Sequence, residues 1–277
     1  MMFEGLKMRL TFLGTGTSCG VPTIGCQCEV CQSTDPRDKR LRCSALVETD
    51  ATRLLIDCGP DFRQQILPQP FRRIDGILIT HAHYDHMGGM DDVRPYCQFG
   101  EINVYADPIA REGLLQMLPY CFAENRYPGV PAIGLHEIHA HEPLTIGDLH
   151  ILPIQVMHGK LPILGFCITQ LSPVTVGPSP TLHPSLTYIT DMKTIDDAEI
   201  DYVKGTEVLV VNALRVGKPH HSHQLLDDAV RFARRVEARR TLFIHPSHDI
   251  GLHADVCRNL PDGMDLAYDG QVVDLDL

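Results

Sequence analysis

The chain has 277 residues, 44% of them hydrophobic and 21% charged, a balance that suits a globular protein with a real core and excludes a disordered or low-complexity one. Its net charge of −11 opposes binding of a long nucleic acid, whereas a small anion held by metal ions suffers less. No apolar run approaches the roughly 20 residues of a membrane span, and the opening Met-Met-Phe-Glu-Gly-Leu-Lys lacks the apolar core of a secretory signal; a cytoplasmic location is expected, with the ten cysteines reduced or bound to metal.

In chain order, residues 8–13 read as a strand running into the glycine turn Gly14-Thr15-Gly16-Thr17, followed by an irregular segment to about Arg42. Strands are predicted at 44–49, 53–57 and 75–80, then at 102–105, with a helix at 108–118. Further strands are expected at 148–156, 164–170, 186–190, 207–211 and 241–244. A second helix is expected at 223–238, with Leu225, Leu226, Ala229, Val230, Phe232 and Ala233 on or near one face. The proline-rich stretch Ser172 to Ser185 reads as a long hairpin loop, a solvated insertion more readily than a flap over a site. Strands flanked by helices throughout, with no convincing linker, predict an α+β (layered α/β) fold and a single domain over 1–277.

Five of the apolar runs end on a metal-type ligand: Asp57, His81, His158, Asp191 and His245. Strand ends are rigid places for distant parts of a chain to converge polar groups. The densest stretch, His81-Ala82-His83-Tyr84-Asp85-His86, reads as a loop on which His81 and His83 face one ion while Asp85 and His86 turn to a second. Imidazole and carboxylate together suit zinc, manganese or iron and disfavour a thiolate-only site. Two such cations about 3.5–4 Å apart lower the pKa of a water, clamp a phosphoryl or carbonyl oxygen and stabilise a leaving group, which is the chemistry of hydrolysis. Separately, Cys26-Gln27-Cys28-Glu29-Val30-Cys31 lies in the Cys-rich loop at 19–43. Three thiolates so close satisfy a tetrahedral zinc ion if a fourth ligand joins them, and His248 is the candidate.

The His-x-His-x-Asp-His run after a strand, followed by His, Asp and His on later strands, resembles the signature of the metallo-β-lactamase superfamily. The resemblance implies a four-layer αββα sandwich with two active-site divalent ions, zinc or manganese. One would sit on His81, His83 and His158, the second on Asp85, His86 and His245, with Asp191 bridging and Asp57 orienting the histidine-rich loop from behind. With the cysteine trio and the His245/His248 pair, the chain looks like the cyclic phosphate phosphodiesterases of the PhnP type, which cleave phosphoribosyl 1,2-cyclic phosphate and carry a structural zinc; here Cys26, Cys28, Cys31 and His248 would hold it. The same resemblance puts Asp85 among the catalytic residues and makes His223, opening the 223–238 helix, the general acid, with His220 and His221 as neighbouring alternatives. The substrate implied is a small phosphodiester, with no membrane and no nucleic acid partner; a homodimer stays open.

Other readings compete. A tRNA 3′-processing nuclease shares the signature, but no extended basic arm is found; a glyoxalase-type thioesterase would append a helical domain; a class B β-lactamase would carry a signal peptide. An iron-dependent redox or sulfur-handling protein, and a scaffold of the same fold without activity, are the readings outside hydrolysis.

Overall fold

The computed structural model describes residues 7–126, 128–171 and 184–276. Strand β1 (Lys7–Gly14) leads through a one-turn helix α1 (Glu29–Gln32) to β2 (Ser44–Glu48) and β3 (Arg53–Ile56). Helix α2 (Phe62–Ile66), β4 (Gly76–Leu78), the one-turn helix α3 (Tyr84–Met87), β5 (Ile102–Ala106), α4 (Pro108–Met117), α5 (Pro119–Phe122) and β6 (Ile133–Glu137) follow. The second half contains β7 (Leu144–Ile146), β8 (Leu149–His158), β9 (Leu161–Gln170), β10 (Leu186–Ile189), α6 (Asp197–Val203) and β11 (Val208–Asn212). It ends with α7 (Leu226–Val236), β12 (Arg240–Ile244), α8 (His253–Asn259), β13 (Met264–Leu266) and β14 (Val272–Asp276).

Two seven-stranded sheets result, in the orders β14-β1-β2-β3-β4-β5-β6 and β13-β12-β11-β10-β9-β8-β7. Each mixes an antiparallel portion with a parallel run, β3 to β6 in the first and β10 to β13 in the second.

Side-chain alternation along the strands builds the layers. Leu54 and Ile56 face the core between the sheets while Leu55 faces the helices; Val210 and Leu242 point inward while Leu209, Val211 and Phe243 point outward. The inner core thus lies between two sheets, and two outer cores lie under helices, which is the αββα sandwich. Helix α7 closes the second outer core with Leu226, Ala229, Phe232, Ala233 and Val236, each large apolar side chain contributing about 1.5–3 kcal/mol on full burial.

The ten predicted strands all form. Three expectations are corrected. Asp85 and His86 lie on helix α3 rather than a loop, His83 being the residue before its first turn. The irregular cysteine segment contains helix α1, which carries Cys31. Helix α7 starts at Leu226 rather than residue 223, so His223 belongs to the loop before it. The hairpin expectation at 172–185 falls, apart from Pro184 and Ser185, outside the described residues. The flanking strands β9 and β10 pair antiparallel, and their Gln170 and Leu186 ends lie opposite the ends that carry His158 and Asp191.

Candidate metal centre

The parallel strands deliver the site. Residues Asp57 and His245, immediately after β3 and β12, and Asp191, two residues after the end of β10, adopt left-handed backbone with φ of 59°, 60° and 56°. Non-glycine residues reach that region at a cost of about 1–2 kcal/mol, held here by the packed strands behind them, and the turn swings each side chain across the strand end. On the first sheet, close approach brings α3 into place: a Cβ on Gly59 would lie 2.1 Å from the Asp85 carbonyl oxygen, so only glycine allows the Asp85–His86 turn to seat there. Cys58 N–H donates to the His86 carbonyl at 2.7 Å and fixes that turn.

Two sets of side chains converge, each with ligand atoms within 4.8 Å of one another: His81, His83, His158 and Asp191, and Asp85, His86, Asp191 and His245. Asp191 is common to both. Its Oδ2 lies 3.8 Å from His81 Nε2, and its Oδ1 lies 3.1 Å from His245 Nε2 and 3.4 Å from His86 Nε2. His81 Nε2 and His83 Nδ1 are 3.0 Å apart, and Asp85 Oδ2 is 3.2 Å from His86 Nε2. The first set joins both sheets, since His81 and His83 follow β4 while His158 and Asp191 end β8 and β10.

The outer nitrogens of His86 and His158 are already committed. His86 Nδ1 donates to Asp57 Oδ2 at 2.7 Å, and Asp57 also accepts from Thr80 N–H and Oγ1. His158 Nδ1 donates to the carbonyls of Asp191 and Ser222 at 2.7 and 3.0 Å. Each bond fixes a tautomer whose other nitrogen points into the cluster. His86 Nε2 and His245 Nε2 are buried there with no hydrogen-bond partner, an arrangement that a pair of divalent cations completes and that a cation-free core would not tolerate cheaply. The cluster therefore fits a dinuclear divalent metal site.

In the polypeptide alone the charges bear this out. Burial holds His81 well below the ordinary imidazole value, with His86 adding repulsion. Burial would lower His86 too, but Asp191, Asp57 and Asp85 overcome it and lift it well above. Asp191 is opposed by burial yet driven well below the carboxylate range by His245 and His86. The centre thus keeps the shared Asp191 carboxylate ionised and aimed between the imidazoles.

Cys26, Cys28, Cys31 and His248 form a third convergent group. His248 Nδ1 lies 3.3 Å from Cys26 Sγ and 3.2 Å from Cys28 Sγ, and all ten cysteines are free thiols. The Cys31 N–H, with His248, lowers the Cys28 thiol to about 6, while burial pushes Cys31 up to about 11. Three sulfurs and one nitrogen at this spacing fit tetrahedral zinc. The group joins the N-terminal cysteine segment to the turn just past His245, which is itself tied back by His245 N–H to the Thr15 carbonyl at 2.7 Å.

Of the three neighbouring histidines, the structure brings only His223 to the centre. Its Nδ1 lies 3.9 Å from Asp191 Oδ2 and its ring lies 4.6 and 4.8 Å from those of His158 and His245. His220 stands behind it at 5.0 Å, and His221 is exposed. Burial pushes His223 down to about 2, His245 assisting and Asp191 opposing. Sequence reasoning missed Thr80, which accompanies His81 at the strand end, and the buried amides of Asn212 and Gln224 beside the Asp191 loop. A signal existed for Asn212: it is the polar residue that ends the apolar run of β11.

Comparison with known proteins places this geometry in context. Residues 52–246 match the family model described as a β-lactamase superfamily domain. A protein named octanoyltransferase from Porphyromonas gingivalis is 40% identical over 264 residues, which cover 95% of this chain and 51% of that protein. The chain spans about half the length of the curated relatives it matches first. Among solved structures, a new diphosphatase from the PhnP family is 37% identical, with a TM-score of 0.85 over 98% of this chain and 99% of that one. Human tRNase Z, short form, shares the fold at 18% identity and a TM-score of 0.69, covering 97% and 100% of the two chains. The matched family model and the metal-ligand geometry agree, and the chain belongs to the β-lactamase superfamily, with the metallo-β-lactamase fold.

Proposed function

We propose that this chain hydrolyses a small phosphoric ester, a phosphodiester such as phosphoribosyl 1,2-cyclic phosphate being the preferred class. The observation that carries the reading is the placement of His223 against the bridging carboxylate, 3.9 Å from Asp191 Oδ2, beside a cluster suited to two cations. The 37% identity to a PhnP-family diphosphatase supports phosphorus as the reacting centre.

His81, His83, His158 and Asp191 would hold one ion, and Asp85, His86, Asp191 and His245 the other; when bound, the pair supplies Lewis-acid stabilisation of phosphoryl oxygens and an activated water. The imidazoles orient that pair through Asp57, Thr80 and the Ser222 carbonyl. His223 is the proton donor to the departing oxygen. Burial pushes its pKa down, and an anionic substrate beside it would raise it. The cysteine cluster of Cys26, Cys28, Cys31 and His248 would hold a structural zinc.

Assay with bis(p-nitrophenyl) phosphate, a ribose cyclic phosphate, a nucleoside diphosphate sugar and an octanoyl thioester separates the classes. Turnover of the phosphorus substrates, with zinc or manganese in the protein, is expected. The thioester is included because of the octanoyltransferase relative, and exclusive thioester turnover would move the reaction to an acyl carbonyl. Iron content without hydrolysis would sink the hydrolytic reading. His223→Ala is expected to keep metal content and to lower kcat about 100-fold or more on alkyl leaving groups, far less on p-nitrophenyl; equal losses on both would remove the donor role.

A further inference from the structure

Three strand ends lie side by side in the parallel run of the second sheet. β10 delivers Asp191 and β12 delivers His245, but β11 between them delivers Asn212, whose carboxamide meets no ligand side chain. It is fully buried and turned sideways. Its Oδ1 accepts from Met192 N–H at 2.8 Å, and its Nδ2 donates to the Met192 carbonyl at 3.0 Å. Both polar groups of the residue after Asp191 are thereby held by one side chain.

The same Met192 carbonyl accepts from the backbone N–H of Gln224 at 3.1 Å, and Gln224 Nε2 donates to the Asn212 carbonyl at 2.9 Å. Gln224 immediately follows His223. Lys193 Nζ adds a bond to the His223 carbonyl at 3.1 Å. The loop bearing His223 is therefore docked on the loop bearing Asp191 through an amide clamp whose hub is Asn212. A clamp of this kind fixes backbone, and backbone here fixes how far the His223 ring stands from Asp191.

We propose that Asn212 is a positioning residue for proton donation: through the Met192 peptide and Gln224 it holds His223 in register with the metal-bridging carboxylate. The inference rests on His223 being the donor. Buried amides whose bonds are all satisfied are costly to truncate, and sub-ångström placement of a reacting group governs rate. The clamp touches no ligand side chain, so its loss should be felt at the donor before it is felt at the metals.

The test is a series of phosphodiesters with leaving groups from p-nitrophenol to simple alcohols, run on Asn212→Ala, Gln224→Ala, His223→Ala and the Asn212→Ala/His223→Ala double variant, with metal content measured on each. Asn212→Ala is expected to keep its metals and lose about ten- to hundredfold in kcat on alkyl leaving groups, with little loss on p-nitrophenyl. The double variant should be no slower than His223→Ala, since interacting groups are not additive. Gln224→Ala, which leaves the Met192 bonds in place, should show the same pattern more weakly, and serves alone if Asn212→Ala does not fold. Equal losses across leaving groups, losses that multiply in the double variant, or loss of metal would overturn the inference. If His223→Ala itself shows equal losses, the donor reading falls first; if it is selective and the clamp variants are not, only the clamp is wrong.

Discussion

Asp57 reaches no ion position directly, yet its carboxylate takes three hydrogen bonds, from Thr80 N–H, Thr80 Oγ1 and His86 Nδ1. Burial raises its pKa, and His86 and the Thr80 bonds pull it back. The carboxylate orients one imidazole and increases its basicity toward a cation. Asp57→Asn keeps the shape but removes the charge and replaces one acceptor oxygen by an NH2 donor, which then faces the His86 or Thr80 donors. The expected outcome is metal affinity weakened by about 10- to 100-fold, measured by competition with a chromophoric chelator; unchanged affinity would mean that Thr80 and packing suffice to hold His86. Asp57 could be picked out from its place at a strand end, since the apolar run Leu54-Leu55-Ile56 stops at it. Thr80 could not, because a threonine in a β-type run is ordinary and only its partners reveal its part.

At the scale of elements, the ligands were readable because strand ends are marked by composition: apolar residues, then one polar residue. The same rule read correctly would have picked out Asn212. Four strands went unread, β6, β7, β13 and β14, because each is short or carries exposed polar residues, as in Glu137 on β6 and Asp274 on β14, and so lacks an apolar run. The one-turn helices α1 and α3 are shorter than any periodicity can register; they are set by tertiary contact, as Gly59 shows. Gly59→Ala would drive a methyl into the Asp85 carbonyl, which can yield only by shifting α3. Such a variant should keep the zinc of the cysteine cluster and lose the ion held by Asp85 and His86, seen as a fall of about one metal per chain. Retention of the full metal complement would show that the turn can slide without losing its ligands.

Across the whole molecule, the cysteine cluster ties residues 26–31 to residue 248, two segments that meet only when both sheets are assembled. In the zinc-free protein this cross-link leaves a pH signature. The Cys28 thiol falls to about 6 when folded, from an ordinary 9.0, so its stabilisation is present above the ordinary value and is lost as pH falls through about 6. Cys31, raised to about 11, acts mainly above that window. Melting temperature of the stripped protein should therefore drop between pH 9 and 6 and flatten below, with Cys28→Ser lacking that drop; identical profiles would exclude Cys28 as the source. No helix among the described residues is long and apolar enough to cross a membrane.

The pairing of β1 with β14 sets Lys7 directly beside Asp276, while β1 runs from there toward Gly14 and the metal-bearing rim. Lys7 and Asp276 therefore lie side by side at the end of β1 opposite Gly14. A unit built this way behaves like a plug-in cartridge: another domain can be spliced before or after it at the end of β1 away from the metal-ligand strand ends. The Porphyromonas gingivalis relative, in which the matched region makes up 51% of a longer protein, has an architecture that this geometry permits.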